Sequence, residues 1–150
     1  MELAEMYQPG LMREETFTVE MKHTAYHIGS GDSRVLSTPS MISFMEQVSH
    51  RLLTEKLPPG KLSVGIQVNI KHLAATPVGA ALRVQAELLE IQDSRALFQV
   101  TAWDEVEKIG HGEHWRAVIE EKRFKKRVTQ KKKALQAVNF NTFLNRTPRD

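Results

Sequence analysis

Three polar residues could perform acid–base chemistry, and His72 is the first of them. It continues the period-two apolar series of residues 64–70, so its side chain is expected on the buried face of a strand. A neutral imidazole can accept or donate a proton near pH 7, which makes histidine the commonest acid–base residue. The simpler alternative is a histidine that only completes the margin of the core.

Glu46 and Thr38 precede this strand on a predicted helix. Glu46 lies at the edge of the helix's apolar stripe, beside Ile42 and Leu53. A partly desolvated carboxylate there would suit a base or a nucleophile, whereas the alternative is a flank residue whose carboxylate reaches water. Thr38 is expected to cap the helix, where free N–H groups and the positive end of the dipole would also favour an oxyanion.

The element that must hold Glu46 and Thr38 is one long amphipathic helix. Thr38 is predicted as its N-cap and Pro39 as its first helical residue, and the Leu57-Pro58-Pro59-Gly60 segment ends it. One stripe of apolar residues defines its buried face. The stripe consists of Met41, Phe44, Met45, Val48 and Leu52, widened by Ile42 and Leu53.

The remaining elements are predicted to be strands. A first strand is expected at Glu15–Met21 and a loop at residues 22–37, before the helix. Four further strands are centred on residues 62–72, 82–88, 96–102 and 109–119, and short connections make them antiparallel neighbours. One long helix packed on a curved antiparallel sheet of about five strands is an α+β architecture.

A helix lying across the strand of His72 would bring a carboxylate, an imidazole and a hydroxyl into one layer. That combination is typical of a hydrolytic site. Gly65 would let a ligand approach the strand closely, or else marks a bulge. No metal is expected, because His111 and His114 are three residues apart on a strand and so face opposite sides.

These elements and residues resemble the hotdog-fold thioesterases, and among them the fluoroacetyl-CoA thioesterase-like family. The resemblance covers about residues 10–125. Its local motifs are Ser37-Thr38-Pro39-Ser40-Met41 with Phe44-Met45-Glu46, then Gly65, the run from Lys71 to Gly79, Ile109-Gly110-His111-Gly112 and Arg116-Ala117-Val118-Ile119.

The resemblance implies a hotdog fold and hydrolysis of a small acyl-CoA thioester near a homodimer interface. Glu46 would attack the carbonyl or activate water, His72 would be the general acid/base, and Thr38 would orient the carboxylate or the substrate. The Gly65 backbone would contact the acyl group, and Arg116 would help to bind CoA. No cofactor is implied beyond the CoA of the substrate, and a higher oligomer than the dimer stays open.

One departure and two alternatives limit the expected activity. Fluoroacetyl selectivity in the family is associated with a phenylalanine-bearing lid, but residues 26–35 contain no phenylalanine, so we expect no such selectivity. A hotdog enoyl-CoA hydratase/dehydratase would need His five residues after Asp32, where Ser37 stands. A non-catalytic acyl-CoA-binding protein is the other alternative.

Positive charge is concentrated at the C-terminal end of the sequence. Residues 1–120 hold 11 Lys/Arg against 16 Asp/Glu, whereas residues 121–150 hold 10 Lys/Arg against two acids. We therefore expect a thioesterase-like domain at 1–123 and a basic, partly helical tail at 124–150 that is solvated, with Phe124, Val128 and Leu135 packed lightly on the domain. The alternative for the tail is contact with phosphates of nucleic acid or CoA.

The chain has no cysteine, no apolar leader and no run of about 20 apolar residues, so a cytoplasmic protein without a membrane partner is expected.

Overall fold

The computed structural model describes residues 2–146. Five helices are present in this part of the chain: α1 (Leu3–Met6), α2 (Ala25–Ile28), α3 (Thr38–Thr54), α4 (Glu121–Gln136) and α5 (Phe140–Leu144). The strands are β1 (Met12–Thr18), β2 (Lys61–His72), β3 (Ala81–Gln92), β4 (Arg95–Trp103) and β5 (Lys108–Glu120).

The five strands form one antiparallel sheet in the order β1-β3-β4-β5-β2. Helix α3 packs on one face of this sheet, and the core lies between them. The α+β fold class and the four strands after the helix are therefore confirmed. The expectation that the first two of these strands are neighbours was wrong, because β2 pairs with β5 at the edge of the sheet and β1 pairs with β3. The first strand ends at Thr18 instead of Met21, and the expected loop at 22–37 contains a 3-10 turn at Met21–His23 and helix α2.

Helix α3 buries the predicted stripe, because Met41, Phe44, Met45, Val48 and Leu52 are all at most 5% exposed. Its N-cap was predicted wrongly by one residue. Ser37 is the cap, and its side chain accepts a hydrogen bond from the Ser40 N–H at 3.1 Å. Thr38 is therefore the first helical residue, and its hydroxyl is free to bond elsewhere.

Strand β2 does not bury one continuous face, which corrects the period-two prediction. Its register against β5 shifts between Gly65 and Gln67, so Ile66 is the extra residue of a bulge. The bulge reverses the alternation, and the helix-facing positions are Ser63 and Gly65 before it but Val68 and His72 after it. Ile66 and Val68 are 46% and 43% exposed at this sheet edge.

The basic tail begins with α4, which follows β5 without a break. Its apolar residues are not packed as expected, because Phe124, Val128 and Leu135 are 40%, 52% and 62% exposed. Residues 147–150 of the predicted tail lie outside the described residues, and the division of the chain at residue 123 stays a prediction. Within residues 2–146 the helices are all too short or too polar to span a membrane.

Candidate active site

The first site feature is a pair formed by Thr38 and His72. The Thr38 hydroxyl lies 2.8 Å from His72 Nδ1, because the helix begins directly above the end of β2. The one-residue shift of the N-cap to Ser37 makes this contact possible, since a capping hydroxyl would be occupied by the backbone.

The other ring nitrogen of His72, Nε2, is buried and makes no hydrogen bond in the described part of the chain. Burial lowers the pKa of His72 from its ordinary value of 6.5, because desolvation penalises the charged imidazolium. The ring is therefore neutral at pH 7 and can exchange a proton at Nε2 with a group that reaches it. A buried polar atom without a partner is costly, which is one mark of a functional position.

The second site feature is a buried cluster around the Glu46 carboxylate. Arg116 Nη1 donates to Glu46 Oε2 at 3.4 Å, and the same nitrogen donates to His114 Nε2 at 3.2 Å. Arg116 is only 5% exposed. Its remaining nitrogens bind Ser63, with Nε 3.0 Å from the hydroxyl and Nη2 3.1 Å from the carbonyl oxygen. Arg116 thus faces Glu46 rather than the solvent.

His114 belongs to this cluster, although from the sequence it was considered only as a metal ligand and rejected. Because arginine can only donate, His114 Nε2 must be the acceptor, and Nδ1 donates to the Gln67 carbonyl at 2.8 Å. Burial lowers the pKa of His114 and keeps the ring neutral in this tautomer. The available signal was the two-residue spacing of His114 and Arg116, which places both on one face of a strand.

Gly65 lies directly beneath the Glu46 carboxylate. A Cβ at this position would be 2.5 Å from Glu46 Oε2 and 3.2 Å from His114 Cε1. The absence of a side chain therefore lets the carboxylate approach the strand where the bulge begins. Glycine is needed here because a side chain approaches the backbone closely, and not because a turn requires a positive φ.

Gly65→Ala is expected to lower the thioester hydrolysis that the sequence resemblance implies by about 10- to 100-fold, because its methyl group displaces the Glu46 carboxylate. The melting temperature should change little, since the displaced atom is the end of a flexible side chain. Gly31→Ala is the matched control, because a Cβ there would meet only Ala25 Cβ at 3.4 Å. Equal activity of the two variants would contradict the prediction.

Glu46 is reached from two sides. A groove of about 650 Å³ runs along α3 and is lined by residues that include Ile42, Glu46, His50 and Ser63. A second depression of about 290 Å³ opens onto the bulge at the β2 edge, between Glu46, Gly65 and His114. The Glu46 side chain is 40% exposed, so a small molecule in either depression can reach it.

The structure does not bring all three predicted catalytic residues together within one chain. Thr38 and His72 are in contact, but Glu46 is eight residues along α3, about 12 Å by helical rise. Gly65, beneath Glu46, is seven residues from His72 along β2, about 23 Å in an extended strand. The expected single layer of Glu46 and His72 is therefore split into two clusters.

The buried histidines give an expected pH dependence of stability. The pKa values of His72 and His114 are lowered from 6.5 in the folded state, so the unfolded chain binds more protons as the pH falls below 6.5. The free energy of unfolding should therefore decrease as the pH falls below 6.5, because the histidines of the unfolded chain become protonated before those of the folded protein. Urea unfolding across this range tests the prediction, and His72→Asn should show a smaller decrease. A pH-independent free energy would contradict it.

Comparison with known proteins agrees with this architecture. The family model described as FlK, fluoroacetyl-CoA-specific thioesterase, matches residues 19–122. The fluoroacetyl-CoA thioesterase of Streptantibioticus cattleyicolor is 39% identical over 97 residues, which are 65% of this chain and 70% of that protein. A solved structure of the fluoroacetyl-CoA thioesterase FlK is 33% identical, covers 83% of this chain and 97% of its own, and superposes with a TM-score of 0.79.

A more distant structure shows the same fold. It is a hypothetical protein from Thermus thermophilus described as a thioesterase superfamily member. It is 22% identical, covers 87% of this chain and 97% of its own, and superposes with a TM-score of 0.82. A hot-dog-like protein from Thermanaerovibrio acidaminovorans, 23% identical, covers 87% of this chain and 97% of its own with a TM-score of 0.81, so the sheet wrapped on one long helix is the hotdog fold. The family match and the Streptantibioticus cattleyicolor relative place the chain in the class of the thioesterases, which hydrolyse thioesters. Within that class, the chain belongs to the fluoroacetyl-CoA-specific thioesterase family.

Proposed function

We propose that this protein hydrolyses small acyl-CoA thioesters in a site that two copies of the chain build together. Thr38 and His72 of one copy and Glu46 of the other form the catalytic set. The single observation that carries the proposal is the unpartnered, buried His72 Nε2 beside a Thr38 contact, with the reactive carboxylate held elsewhere in the same chain.

The free edge of β2 supports the assembly. β2 is the last strand of the sheet, and its Ile66 and Val68 side chains are exposed there. Such an edge favours pairing with another strand, and two-fold symmetric dimers are the commonest assemblies. Antiparallel pairing of β2 with its symmetry copy reverses the strand, so the His72 end of one copy lies near the Gly65 end of the other.

The reaction requires an attack on the thioester carbonyl and protonation of the departing sulfur. Glu46 either attacks the carbonyl carbon or removes a proton from the water that does so, and both routes need its ionised carboxylate. In the water route the C–S bond breaks as the water oxygen joins the acyl carbon, and Glu46 holds the proton taken from water; His72 donates its Nε2 proton to the departing sulfur and regains one from Glu46. In the nucleophilic route the C–S bond breaks to leave an acyl–Glu46 anhydride while His72 protonates the sulfur. One water molecule, whose proton returns to His72, then hydrolyses the anhydride to the carboxylic acid and the free Glu46 carboxylate. Thr38 orients the His72 ring through Nδ1, which directs Nε2 at the reacting atoms.

Arg116 acts in this proposal as a positioning residue instead of a CoA ligand. Its guanidinium is held by Ser63 and directs Nη1 at the Glu46 carboxylate, which holds the carboxylate above Gly65. The Gly65 backbone, next to the unpaired Ile66 of the bulge, is where the acyl carbonyl would be placed.

The acyl selectivity is proposed to differ from that of the named relatives. A variant of FlK has been crystallised with fluoroacetate and CoA, and it is 32% identical to this chain with a TM-score of 0.76. In this chain the segment before α3 holds α2 and an Arg34 guanidinium 4.8 Å from the Tyr26 ring, with no phenylalanine in residues 26–35. We therefore propose hydrolysis without preference for the fluorinated acyl group.

Thiol release from a panel of short, branched and aromatic acyl-CoAs tests this function. Acetyl-CoA and fluoroacetyl-CoA are the matched pair, and their kcat/KM values should agree within about tenfold. The protein has no cysteine, so a thiol reagent reports only the product. Absence of turnover on every ester, with CoA esters still bound, would instead support the non-catalytic acyl-CoA-binding alternative.

A further inference from the structure

The basic helix α4 is not used by the site described above. It carries eight Lys/Arg against the single acid Glu121, and all but its first two residues lie beyond the family match, which ends at residue 122. The one ion pair that involves α4 in the described chain joins Lys125 to Glu121 at 2.8 Å. Most of its positive charge is therefore uncompensated.

The first two turns of α4 form one wall of a groove of about 350 Å³ at the ends of β2 and β5. Its cationic residues are Lys61, Arg123 and Arg127, and Phe124 adds an aromatic ring that is 40% exposed. Glu120 also lines the groove and lies 3.6 Å from Lys61. The groove therefore keeps a net positive charge.

This groove lies in line with the Glu46 cluster on one face of the sheet. Three successive pairs of β2 and β5 share that face: Gly65 with Arg116, Ser63 with Val118, and Lys61 with Glu120. Because cross-strand partners project to the same side, the path from Arg116 to Glu120 follows one strand for about 13 Å. Arg123 and Arg127 continue this path on the helix.

We propose that the groove binds the 3′-phosphorylated ADP end of the acyl-CoA substrate, an inference that rests on the proposed function. The guanidinium groups of Arg123 and Arg127 and the Lys61 ammonium bind the phosphates, since arginine matches phosphate geometry with paired donors. The adenine stacks on Phe124. The pantetheine arm then runs along the strand face toward Glu46.

This occupant fits the groove better than a nucleic acid does. A single-stranded nucleic acid needs several aromatic rings for successive bases, and the groove offers one. The thioester must reach Glu46 while the nucleotide stays outside, which places the phosphates at one end of a path and the reacting carbonyl at the other. The groove and the Glu46 cluster have that arrangement.

The test is the double variant Arg123→Gln and Arg127→Gln, in the full-length chain. KM for acetyl-CoA should rise by about tenfold with kcat unchanged, because charged contacts to the phosphates are lost far from the reaction. Hydrolysis of acetyl-pantetheine, which lacks the nucleotide, should be unaffected. The matched control is Lys122→Gln with Lys133→Gln, which removes the same charge from residues that do not line the groove.

Calorimetric titration of adenosine 3′,5′-bisphosphate separates this inference from the proposed function, because it needs no turnover. Wild type and control should bind it equally, and the Arg123/Arg127 variant about tenfold more weakly. The inference would be overturned if the control lost as much affinity for the bisphosphate as the Arg123/Arg127 variant, or if that variant bound it as tightly as wild type. It would also be overturned if the KM of that variant rose as much for acetyl-pantetheine as for acetyl-CoA. Preferential binding of a short single-stranded RNA, lost in both variants, would also overturn it.

Discussion

Glu46→Gln is expected to lower kcat/KM for the best acyl-CoA substrate by about 10³-fold, with the fold unchanged. The amide has the shape of the carboxylate but cannot attack a carbonyl or take a proton from water. Because the Glu46 side chain is 40% exposed, the change should cost little stability. Arg116 keeps its hydrogen bonds to Ser63, so the rest of the cluster stays in place.

Thiol release and thermal unfolding, measured on the same preparation, check this result. Glu55→Gln is the matched control, because it makes the same substitution at the C-cap of α3, where Glu55 contacts Arg13 and no site residue. That control should retain full activity. A Glu46→Gln variant with more than about a tenth of wild-type turnover would remove Glu46 from the chemistry.

Mixing two inactive variants is expected to restore activity if the site is shared between copies. Glu46→Gln and His72→Ala each inactivate both sites of their own dimer. In a hybrid dimer one site combines the intact Glu46 of one copy with the intact His72 and Thr38 of the other. Random re-association should give about a quarter of wild-type activity, since half of the dimers are hybrids and each has one intact site.

The variants are refolded together, and native mass spectrometry measures the fraction of hybrids. The control mixes Glu46→Gln with the double variant Glu46→Gln and His72→Ala, because no hybrid of these contains an intact carboxylate. That mixture should stay inactive. If verified hybrids of the two single variants show no gain, the catalytic set belongs to one chain, and the β2 edge does not complete the site.

The sequence alone was enough to predict the elements that position the site. The apolar stripe of α3 and the alternation in the strands are local periodicities, and each is decided by which side chains must leave water. The same helical periodicity placed Glu46 at the edge of the stripe. These features were recovered because neighbouring residues determine them.

The tertiary structure decided the strand register, the helix cap and the side-chain contacts, which local periodicity does not determine. The bulge at Ile66 changes the face of every later β2 residue, and His114 holds it through a bond to Gln67. The shift of the N-cap to Ser37 frees Thr38 for His72. Each depends on a contact between residues far apart in the chain, and such contacts exist only after the sheet and the helix have packed.

The separation of Glu46 from His72 has the same physical cause. The sequence predicted that the two residues share one layer, but the distance between them along the helix and the strand depends on where α3 crosses β2, which no local pattern encodes. Arg116 shows this most directly. The family resemblance implied that Arg116 helps to bind CoA, whereas packing buries it against Ser63 and turns its charge toward Glu46. The sequence determined the helices and strands and the apolar stripe of α3. Packing decided which polar groups are in contact, because a buried charge needs a partner and only the folded chain brings that partner within reach.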